Sequence, residues 1–442
     1  MCWSNLLNNT RLGDDPNGPL SKDRSEFQRD YDRIIFWSAF RRLQGKTQVF
    51  PLPEIDPIHN RLTHSLEVAS VGRSLGQITG RKLNNKSPKK LSEPFAEIVG
   101  AACLAHDIGN PPFGHSGEKA ISDFFNSDQG KQYITCLPFQ QKADFLNFEG
   151  NALGFRLLTH SKPSQVGGKG GLRLTHATLG AFTKYPRGST DHSNKNKASE
   201  KKFSLFQSDL ETFAEVASKL NLKKKGSSEK WYRHPLAFLV EAADDICYEI
   251  IDLEDGYRLK LISFAETSDL LKKIATQGIF RQKRYDEIKH QDRQIEYLRA
   301  VVIDTLIQQA ADIFVKNFES ILSGKFDQPL LDKIEAKPHL TEIRGKAKQN
   351  FYAYRPVVEI EAAGFEILAG LLDAFLNGVR GTNSRQRKCT DLLPDEYLDV
   401  NREPFKDWYE QVMSITEFVA GMTDTFAIDT YRVIKGISLR NY

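Results

Sequence analysis

Residues 106–118 read His-Asp-Ile-Gly-Asn-Pro-Pro-Phe-Gly-His-Ser-Gly-Glu, and this stretch decides how the rest of the chain is interpreted. An almost wholly apolar approach, residues 95–105, predicts a buried helix that ends in a Gly- and Pro-rich turn. An imidazole and a carboxylate side by side at a helix exit can form a metal-ligand pair, and the turn then presents a second His and a Glu. A lone His-Asp dipeptide more often caps a helix, so the interpretation depends on the remainder of the sequence.

The composition excludes several classes of protein. With 40% hydrophobic and 27% charged residues among 442, the chain is typical of a globular protein with a sizeable core. No apolar run approaches the roughly 20 residues of a spanning helix, and the N-terminus lacks a basic start followed by an apolar block, so we expect a cytoplasmic protein with no membrane segment. Five scattered cysteines without C-x-x-C spacing indicate neither a disulfide framework nor a cysteine zinc site. The net charge of +4 gives no nucleic-acid signature.

Apolar residues recur at helical spacing along most of the chain, and strand-like alternation is scarce. The predicted helices cover residues 27–43, 61–82, 94–106, 118–125, 145–159, 235–256, 262–275, 283–322, 357–379 and 404–436. We therefore predict an all-α fold with an irregular polar leader (1–26), a helical core (27–260) and a C-terminal helical region that packs on the core (261–442). Loop insertions are expected at 161–171 and 186–202, and the lysine runs near Lys201 and Lys225 are expected to be solvated.

The predicted helix over residues 235–256 carries Asp244, Tyr248 and Asp252 at steps of four, which places them on one face. A carboxylate on a mostly apolar helix requires a metal, a cation or a ligand, because acidic residues are rarely buried without a partner. An ordinary amphipathic helix is the alternative. We expect the other acidic side chains of its second half to face solvent, namely Asp245, Glu249 and Glu254.

Two imidazoles and two carboxylates, contributed by three of the predicted helices, form one candidate set of metal ligands. The set consists of His64, His106, Asp107 and Asp244. Such donors suit Mn²⁺, Mg²⁺, Ni²⁺, Co²⁺ or Fe²⁺, with water at the open positions, better than a closed tetrahedral zinc site.

With this set the chain resembles the HD-domain deoxynucleoside triphosphate triphosphohydrolases, the bacterial dGTPases and dGTPase-like proteins. The resemblance is carried by residues 41–50 (RRLQGKTQVF), 61–65 (RLTHS), 106–118, 147–152 (NFEGNA), 184–186 (KYP), 241–245 (EAADD) and 420–424 (AGMTD). An HD dipeptide alone is weak evidence, whereas this ordered series of long motifs is specific.

The resemblance implies an HD-domain core and a divalent metal ion held by the four residues named above. It assigns His115 and Glu118 to a catalytic pair, in which the His protonates the leaving 5′-oxygen and the Glu orients the His. Water activated by the metal would attack Pα in line.

The resemblance also implies residues that bind the substrate. Arg61 and Lys184 match phosphate-binding cations, Tyr248 matches a ring that excludes a 2′-hydroxyl, and Asp252 matches an acceptor for the 3′-hydroxyl. Ordinary surface charge is the alternative for the two cations, and core packing is the alternative for Tyr248. Further positions near the nucleotide are Asn151, Leu43, Val49, Tyr352 and Glu361.

The implied activity is metal-dependent hydrolysis of a deoxynucleoside triphosphate, dGTP or a broader set of dNTPs, to deoxynucleoside and tripolyphosphate. Two alternatives stay open: another HD-type nucleotide phosphohydrolase or phosphodiesterase, and a catalytically silent regulator that binds nucleotides or single-stranded DNA. The resemblance further implies a homo-oligomer, with a dNTP activator and a single-stranded DNA effector as partners besides the dNTP substrate.

Overall fold

The computed structural model describes residues 1–13, 23–50, 58–84, 90–162, 170–191, 193–226, 228–351, 354–381 and 383–437. Within these ranges the regular elements are helices, joined by loops that contain only isolated β-bridges. The predicted all-α fold is therefore confirmed.

The α-helices fall into two series along the chain. The first series is α1 (Trp3–Leu6), α2 (Glu26–Ile35), α3 (Ser38–Arg41), α4 (Arg61–Leu83), α5 (Ser92–Ala105), α6 (Gly114–Asn126), α7 (Asp128–Ile134), α8 (Phe139–Leu146), α9 (Gly150–Thr159), α10 (His176–Phe182), α11 (Leu210–Leu220) and α12 (Ala237–Arg258). The second is α13 (Phe264–Ala275), α14 (Gln282–Glu287), α15 (Gln291–Lys316), α16 (Phe318–Leu322), α17 (Lys337–Asn350), α18 (Arg355–Arg380), α19 (Ser384–Thr390), α20 (Trp408–Ala420) and α21 (Asp424–Ile434).

The helices α4, α5 and α12 pack on one another at the centre of the molecule. Asn60 begins α4 with a capping box, since its side chain accepts hydrogen bonds from the N–H groups of Leu62 and Thr63. A stripe of glycines on α4 then lets α5 approach closely, and a Cβ on Gly76 would lie 2.6 Å from the carbonyl oxygen of Phe95. This close contact fixes the relative position of the two helices that carry or precede the predicted metal ligands.

The acidic residues of α12 do not face solvent, which corrects the expectation for Asp245, Glu249 and Glu254. Glu249 and Glu254 are 4% and 2% exposed. Glu249 pairs with Arg344 of α17, and Glu254 Oε2 lies 2.6 Å from Arg299 Nη1 of α15. Asp245 lines the cavity described below. The helix is surrounded by α4, α5, α15 and α17, and arginines distant in sequence supply the partners that burial requires.

The first residues of the chain pack on the core, in contrast to the expected irregular leader. Trp3 and Leu6 of α1 are buried. Arg11 is buried as well, with its Nη1 2.6 Å from Asp30 Oδ1 of α2 and its Nε 2.7 Å from Glu26 Oε2.

Four predicted helices are interrupted, namely those over residues 27–43, 145–159, 283–322 and 404–436. The third is divided into α14, α15 and α16, and the fourth into α20 and α21. Trp37 has an extended backbone between α2 and α3. Around one continuous helix the buried residues Ile34 and Ala39 would lie roughly 140° apart, so the break allows both of them to face the core. Glu149 is extended before α9 and interrupts the helix predicted over residues 145–159.

The expected loop insertions differ from each other. Of residues 161–171, positions 163–169 lie outside the described residues. The segment 186–202 is tied to the core by Arg187 and Ser189, which are 3% and 7% exposed, and the Ser189 hydroxyl donates to Asp144 at 2.5 Å.

One helix of the described residues, α18, is long and apolar enough to cross a membrane by length and composition. The sequence shows no long apolar run there because Glu361, Glu366 and Asp373 interrupt the apolar residues of this helix. Its buried side chains pack against α6, α19, α20 and α21, so α18 joins the C-terminal region to the core.

Candidate active site

Histidine and aspartate side chains from three parts of the chain meet at one point. His64 lies on α4, Asp244 lies on α12, and His106 and Asp107 directly follow α5. His64 Nε2 is 3.4 Å and His106 Nε2 is 3.3 Å from the same oxygen, Asp244 Oδ1. His106 Nε2 is also 3.4 Å from Asp107 Oδ1. The ligand atoms of His64, His106 and Asp107 all lie within 4.8 Å of one another, so one small cation could contact all three, and Asp244 Oδ1 lies beside both imidazoles.

The protonation of His106 indicates that a cation belongs there. Its Nδ1 lies 2.7 Å from the carbonyl oxygen of Cys103, which can only accept, so Nδ1 carries the proton. Nε2 is buried and makes no hydrogen bond of normal geometry, although oxygens of Asp107 and Asp244 lie 3.4 Å and 3.3 Å away. Burial lowers the pKa of His106, but these two carboxylates outweigh burial and raise it, so a positive charge is favoured at this point. A divalent metal ion bound to the unprotonated Nε2 would supply that charge, and therefore the residues present fit such an ion.

Two cations hold the carboxylates of this cluster from the outer side. Arg61 Nη1 lies 2.6 Å from Asp107 Oδ2, and Lys184 Nζ lies 2.5 Å from Asp244 Oδ2. Burial raises the pKa of Asp107 and Asp244, but the neighbouring cations outweigh burial and hold both pKa values below their usual range. Both carboxylates are therefore ionised and available as ligands near neutral pH.

A cavity of about 320 Å³ opens over the cluster. Its lining comprises Thr47, Gln48, Val49, Arg61, His106, Asp107, Asn110, Phe113, Gly114, Glu118, Asn151, Lys184, Tyr185, Lys202, Asp244, Asp245, Tyr248, Val357, Ile360 and Glu361. The volume is at the lower end of the range for small-molecule sites, and the lining combines cations with aromatic and aliphatic side chains.

The turn over residues 109–114 separates the histidine cluster from α6. A Cβ on Gly109 would collide with the backbone of Gly150 and Gly154, so glycine is required there. Phe113 and Gly114 both have left-handed backbones, with φ of 62° and 63°. The chain thereby reverses and begins α6, whose first two turns carry His115 and Glu118.

A pair of carboxylates lies on the α6 side of the cavity. Glu118 Oε1 accepts the N–H of Gly150 at 2.8 Å, and its Oε2 lies 3.5 Å from Lys202 Nζ. The same ammonium lies 2.9 Å from Glu149 Oε1. Burial and the nearby Glu118 raise the pKa of Glu149 to about 7. Lys202 thus offsets the negative charge of two neighbouring carboxylates.

Comparisons with known proteins agree with this geometry. A family model described as an HD domain matches residues 61–138, and one described as a phosphohydrolase-associated domain matches residues 333–433. A deoxyguanosinetriphosphate triphosphohydrolase-like protein of Synechocystis sp. is 40% identical, over 99% of this chain and all of its own length. A protein of the same description from Pseudomonas aeruginosa is 38% identical over 99% of both chains. The deoxyguanosinetriphosphate triphosphohydrolase of Yersinia enterocolitica is 30% identical over 92% of this chain and 93% of its own.

The chain belongs to the HD-domain dGTPase and dGTPase-like family. The HD-domain match begins at Arg61 and ends beyond Glu118, so it contains His64 and the His106-Asp107 pair. The associated-domain match contains α18, which contributes Val357, Ile360 and Glu361 to the cavity.

Most of the site residues that the family resemblance predicts lie around one cavity. Those on the cavity surface are Val49, Arg61, His106, Asp107, Glu118, Asn151, Lys184, Asp244, Tyr248 and Glu361. His64 is 1% exposed and contacts the cluster without lining the cavity. Leu43 and Asp252 are 0% and 5% exposed and do not line it either. Tyr352 and the side chain of His115 lie outside the described residues.

Several residues in or beside the cavity are not among those that the sequence predicts for the site. The sequence predicts Lys202 in a solvated lysine run and Glu149 within a helix. Asn110 donates from Nδ2 to Asp107 Oδ1 at 2.6 Å and so orients a predicted metal ligand. The signal for Asn110 and Glu149 was present, because both belong to the motifs that carry the family resemblance, whereas Lys202 had no local signal.

Proposed function

We propose that this protein hydrolyses a deoxynucleoside triphosphate to deoxynucleoside and tripolyphosphate with a divalent metal ion. The observation that carries the proposal is the buried Nε2 of His106, which makes no hydrogen bond of normal geometry and faces Asp107 and Asp244 at the floor of a cavity. The membership in the dGTPase-like family supports the same reaction, and the two candidate phosphate-binding cations border this cluster.

The metal would be held by His64, His106, Asp107 and Asp244. When bound, a divalent ion lowers the pKa of water and neutralises charge that develops on phosphoryl oxygens. The mixed imidazole and carboxylate donors favour Mn²⁺, Mg²⁺, Ni²⁺, Co²⁺ or Fe²⁺. Asn110 and Cys103 hold Asp107 and His106 through hydrogen bonds, so these two ligands are oriented before a substrate binds.

Arg61 and Lys184 neutralise the triphosphate in this proposal. Both cations already contact ligand carboxylates, at 2.6 Å and 2.5 Å, and their positive charge also reaches the cavity surface. Fixed cations at the point where charge develops stabilise the transition state without reorganisation. Lys202 is a further cation on the cavity surface, and it lies beside Glu118 of α6.

His115 and Glu118 complete the reaction in this proposal. They are three residues apart on α6, which is the spacing of neighbours on one helix face. His115 would donate a proton to the 5′-oxygen as the bond between that oxygen and Pα breaks. Glu118 would keep the imidazole protonated and oriented, while Gly150 fixes one oxygen of Glu118.

Tyr248 is the residue that would select a deoxyribose. It lines the cavity one helical turn beyond Asp244, where a ring leaves no room for a 2′-hydroxyl. Asp252 follows one further turn along α12, and burial with the nearby Asp255 and Glu249 raises its pKa well above the usual range. A protonated carboxyl can still bond a 3′-hydroxyl, so its role in sugar recognition stays part of the proposal.

The test is a panel of dNTPs and rNTPs, supplied singly and in pairs with Mn²⁺ or Mg²⁺, with the products identified by ion-exchange chromatography. We expect tripolyphosphate and deoxynucleoside from at least one dNTP and none from the matching rNTP. Pairs are included because the need for a dNTP activator would otherwise hide the activity. Release of only phosphate or pyrophosphate would contradict the proposal.

A further inference from the structure

The turn over residues 109–114 is held at one end by Asp424, from the far end of the chain, and at the other end by Lys46. Asp424 begins α21, more than three hundred residues beyond the turn, and is 1% exposed. Its Oδ1 accepts the N–H of Phe113 at 3.1 Å. Its Oδ2 accepts the N–H of Thr47 at 2.9 Å and the hydroxyl of Thr47 at 2.5 Å.

The other end of the turn is held by Lys46, which is 3% exposed. Its Nζ donates to the carbonyl oxygen of Asn110 at 2.5 Å and to that of Ala420 at 2.8 Å. Since the Asn110 side chain donates to Asp107, the contact from Ala420 through Lys46 ends at a residue that is hydrogen-bonded to a candidate metal ligand. The C-terminal region therefore holds the turn directly through Asp424 and indirectly, from Ala420, through Lys46.

Asp424 binds the non-glycine residue of the turn that has a left-handed backbone. Phe113 has φ of 62°, in the region that a residue with a Cβ rarely adopts, and it directly precedes α6. Its N–H donates to Asp424. The Phe113 ring packs on Gly364 of α18, where a Cβ would lie 2.9 Å from the ring. Both the backbone and the side chain of Phe113 are thus fixed by the C-terminal region.

We infer that Asp424 is a positioning residue for the reaction, because it holds Phe113 in the left-handed conformation that sets the direction of α6. The inference rests on the proposed function in one respect: α6 carries His115 and Glu118, the candidate proton donor and its partner. A small displacement of a proton donor lowers turnover strongly, by about 100-fold for a 1 Å error. Asp424 itself lines no part of the cavity and would not touch the substrate.

The test compares Asp424→Asn with Asp429→Asn, a matched substitution on the same helix at a half-buried carboxylate for which the described residues provide no hydrogen bond. We expect Asp424→Asn to lower kcat at least about tenfold while KM changes less than threefold, because an unaligned proton donor affects the transition state and not substrate binding. Asp429→Asn should keep kcat within twofold. Unchanged kcat in Asp424→Asn, or a change confined to KM, would overturn the inference.

A second measurement does not depend on turnover. Hydrogen exchange of the peptide over residues 108–118 should be at least about tenfold faster in Asp424→Asn than in wild type, and unchanged in Asp429→Asn, because an amide has one acceptor oxygen and cannot accept from both Phe113 and Thr47 as the carboxylate does. Equal exchange in all three proteins would overturn the inference. If wild type releases no tripolyphosphate, the proposed function fails, but the exchange comparison still decides whether Asp424 holds the turn.

A variant that retains the charge protects the test against a failure to fold. Asp424→Glu keeps the carboxylate but moves its oxygens by one methylene group. We expect this variant to fold and to show the same fall in kcat and the same faster exchange. Wild-type kcat and exchange in Asp424→Glu would overturn the inference, because charge alone would then be sufficient.

Discussion

At the scale of the residue, Asp244 is the side chain on which the candidate metal site depends most. Its Oδ1 faces both His64 and His106, and its Oδ2 binds Lys184. No other described carboxylate contacts both histidines, so the loss of this carboxylate leaves the two imidazoles without a shared anionic partner.

We therefore predict that Asp244→Ala weakens metal binding. Protein purified in the presence of Mn²⁺ and then dialysed should retain less than about a tenth of the wild-type metal, since the loss of one ligand costs more than the roughly 10- to 100-fold loss known for a residue behind the ligands. Elemental analysis measures the stoichiometry. Asp245→Asn is the control, because burial and nearby Glu241 raise the pKa of Asp245 to about 8 and an amide resembles that protonated carboxyl. Equal metal content in Asp244→Ala and wild type would exclude Asp244 as a ligand.

His115 gives a different expected result from Asp244. Since the family resemblance assigns His115 to proton transfer and not to metal binding, His115→Ala should keep the metal stoichiometry and the thermal unfolding midpoint of wild type. Its turnover should fall by about 100-fold or more, the scale for the loss of a general acid. Turnover equal to wild type would remove His115 from the mechanism.

At the scale of the element, the contact between α4 and α5 positions the metal ligands. Gly72, Gly76 and Gly80 form the stripe on α4, and each would collide with α5 or the residues that start it if it carried a Cβ. Glycine normally destabilises a helix by about 1 kcal/mol relative to alanine. At these three positions the close packing of α4 on α5 therefore outweighs the low helix propensity of glycine.

Gly76→Ala should therefore lower the free energy of unfolding by about 1–3 kcal/mol despite the better helix propensity of alanine. Gly345→Ala on α17 is the matched control, since a Cβ there meets nothing within 4 Å. That control should leave stability unchanged or raise it by up to about 1 kcal/mol. Urea denaturation of both variants measures the two changes, and an equal effect at the two positions would contradict the close-packing account.

A histidine joins α4 to α12 on the side away from the metal cluster. His59 Nδ1 lies 2.8 Å from Asp255 Oδ1 of α12, and its Nε2 lies 3.3 Å from Glu67 Oε1 of α4. Burial lowers the pKa of His59, but the hydrogen bonds to Asp255 and Glu67 outweigh burial and raise the pKa to about 10. The charged imidazolium thus binds the helices of His64 and Asp244 together.

This contact predicts how stability depends on pH. The His59 pKa is higher in the folded protein than the value of about 6.5 in an unfolded chain, so its contribution is complete below pH 6.5 and is lost as pH rises through 10. At pH 6 the free energy of unfolding of His59→Gln should be lower than that of wild type by about 1–3 kcal/mol, the scale of hydrogen bonds to a charged group. The difference should shrink towards pH 10 in denaturant titrations. A difference that grows with pH would contradict the assignment.

The helices were predictable where one apolar face continues without interruption, as in α4, α5, α12 and α18. The helix breaks at Trp37 and Glu149 were not predictable, because tertiary packing and not local helix propensity determines where they occur. The burial of Glu254 and Glu249 on α12 was not predictable for the same reason, because their arginine partners lie 45 and 95 residues away in the chain. A periodic pattern indicates which face is apolar, but it does not reveal what covers the polar face.

At the scale of the whole molecule, both ends of the described chain close on the central helices. Trp3 and Leu6 pack in the core, and Arg11 binds two carboxylates of α2. From the other end, Asp424 binds Thr47 and Phe113. The C-terminal region, which the sequence predicted only as a helical region packed on the core, thus also supplies part of the cavity and holds the turn that leads into α6.

The candidate metal ligands were predictable because they belong to long motifs with fixed residue types, and the fold brings all four together. The surroundings of the site were less predictable. Lys202 reaches Glu118 and Glu149 only because the segment that precedes it folds back on the core through Arg187 and Ser189. No spacing rule predicts a contact of that kind.

The most direct test of the central claim is the fate of oxygen from water during turnover. The accepted dNTP is hydrolysed in ¹⁸O-labelled water with the preferred metal ion, and both products are analysed by mass spectrometry. Attack of water at Pα with departure of the 5′-oxygen predicts one ¹⁸O in tripolyphosphate and none in the deoxynucleoside. Label in the deoxynucleoside, or a deoxynucleoside monophosphate among the first products, would contradict the proposed reaction.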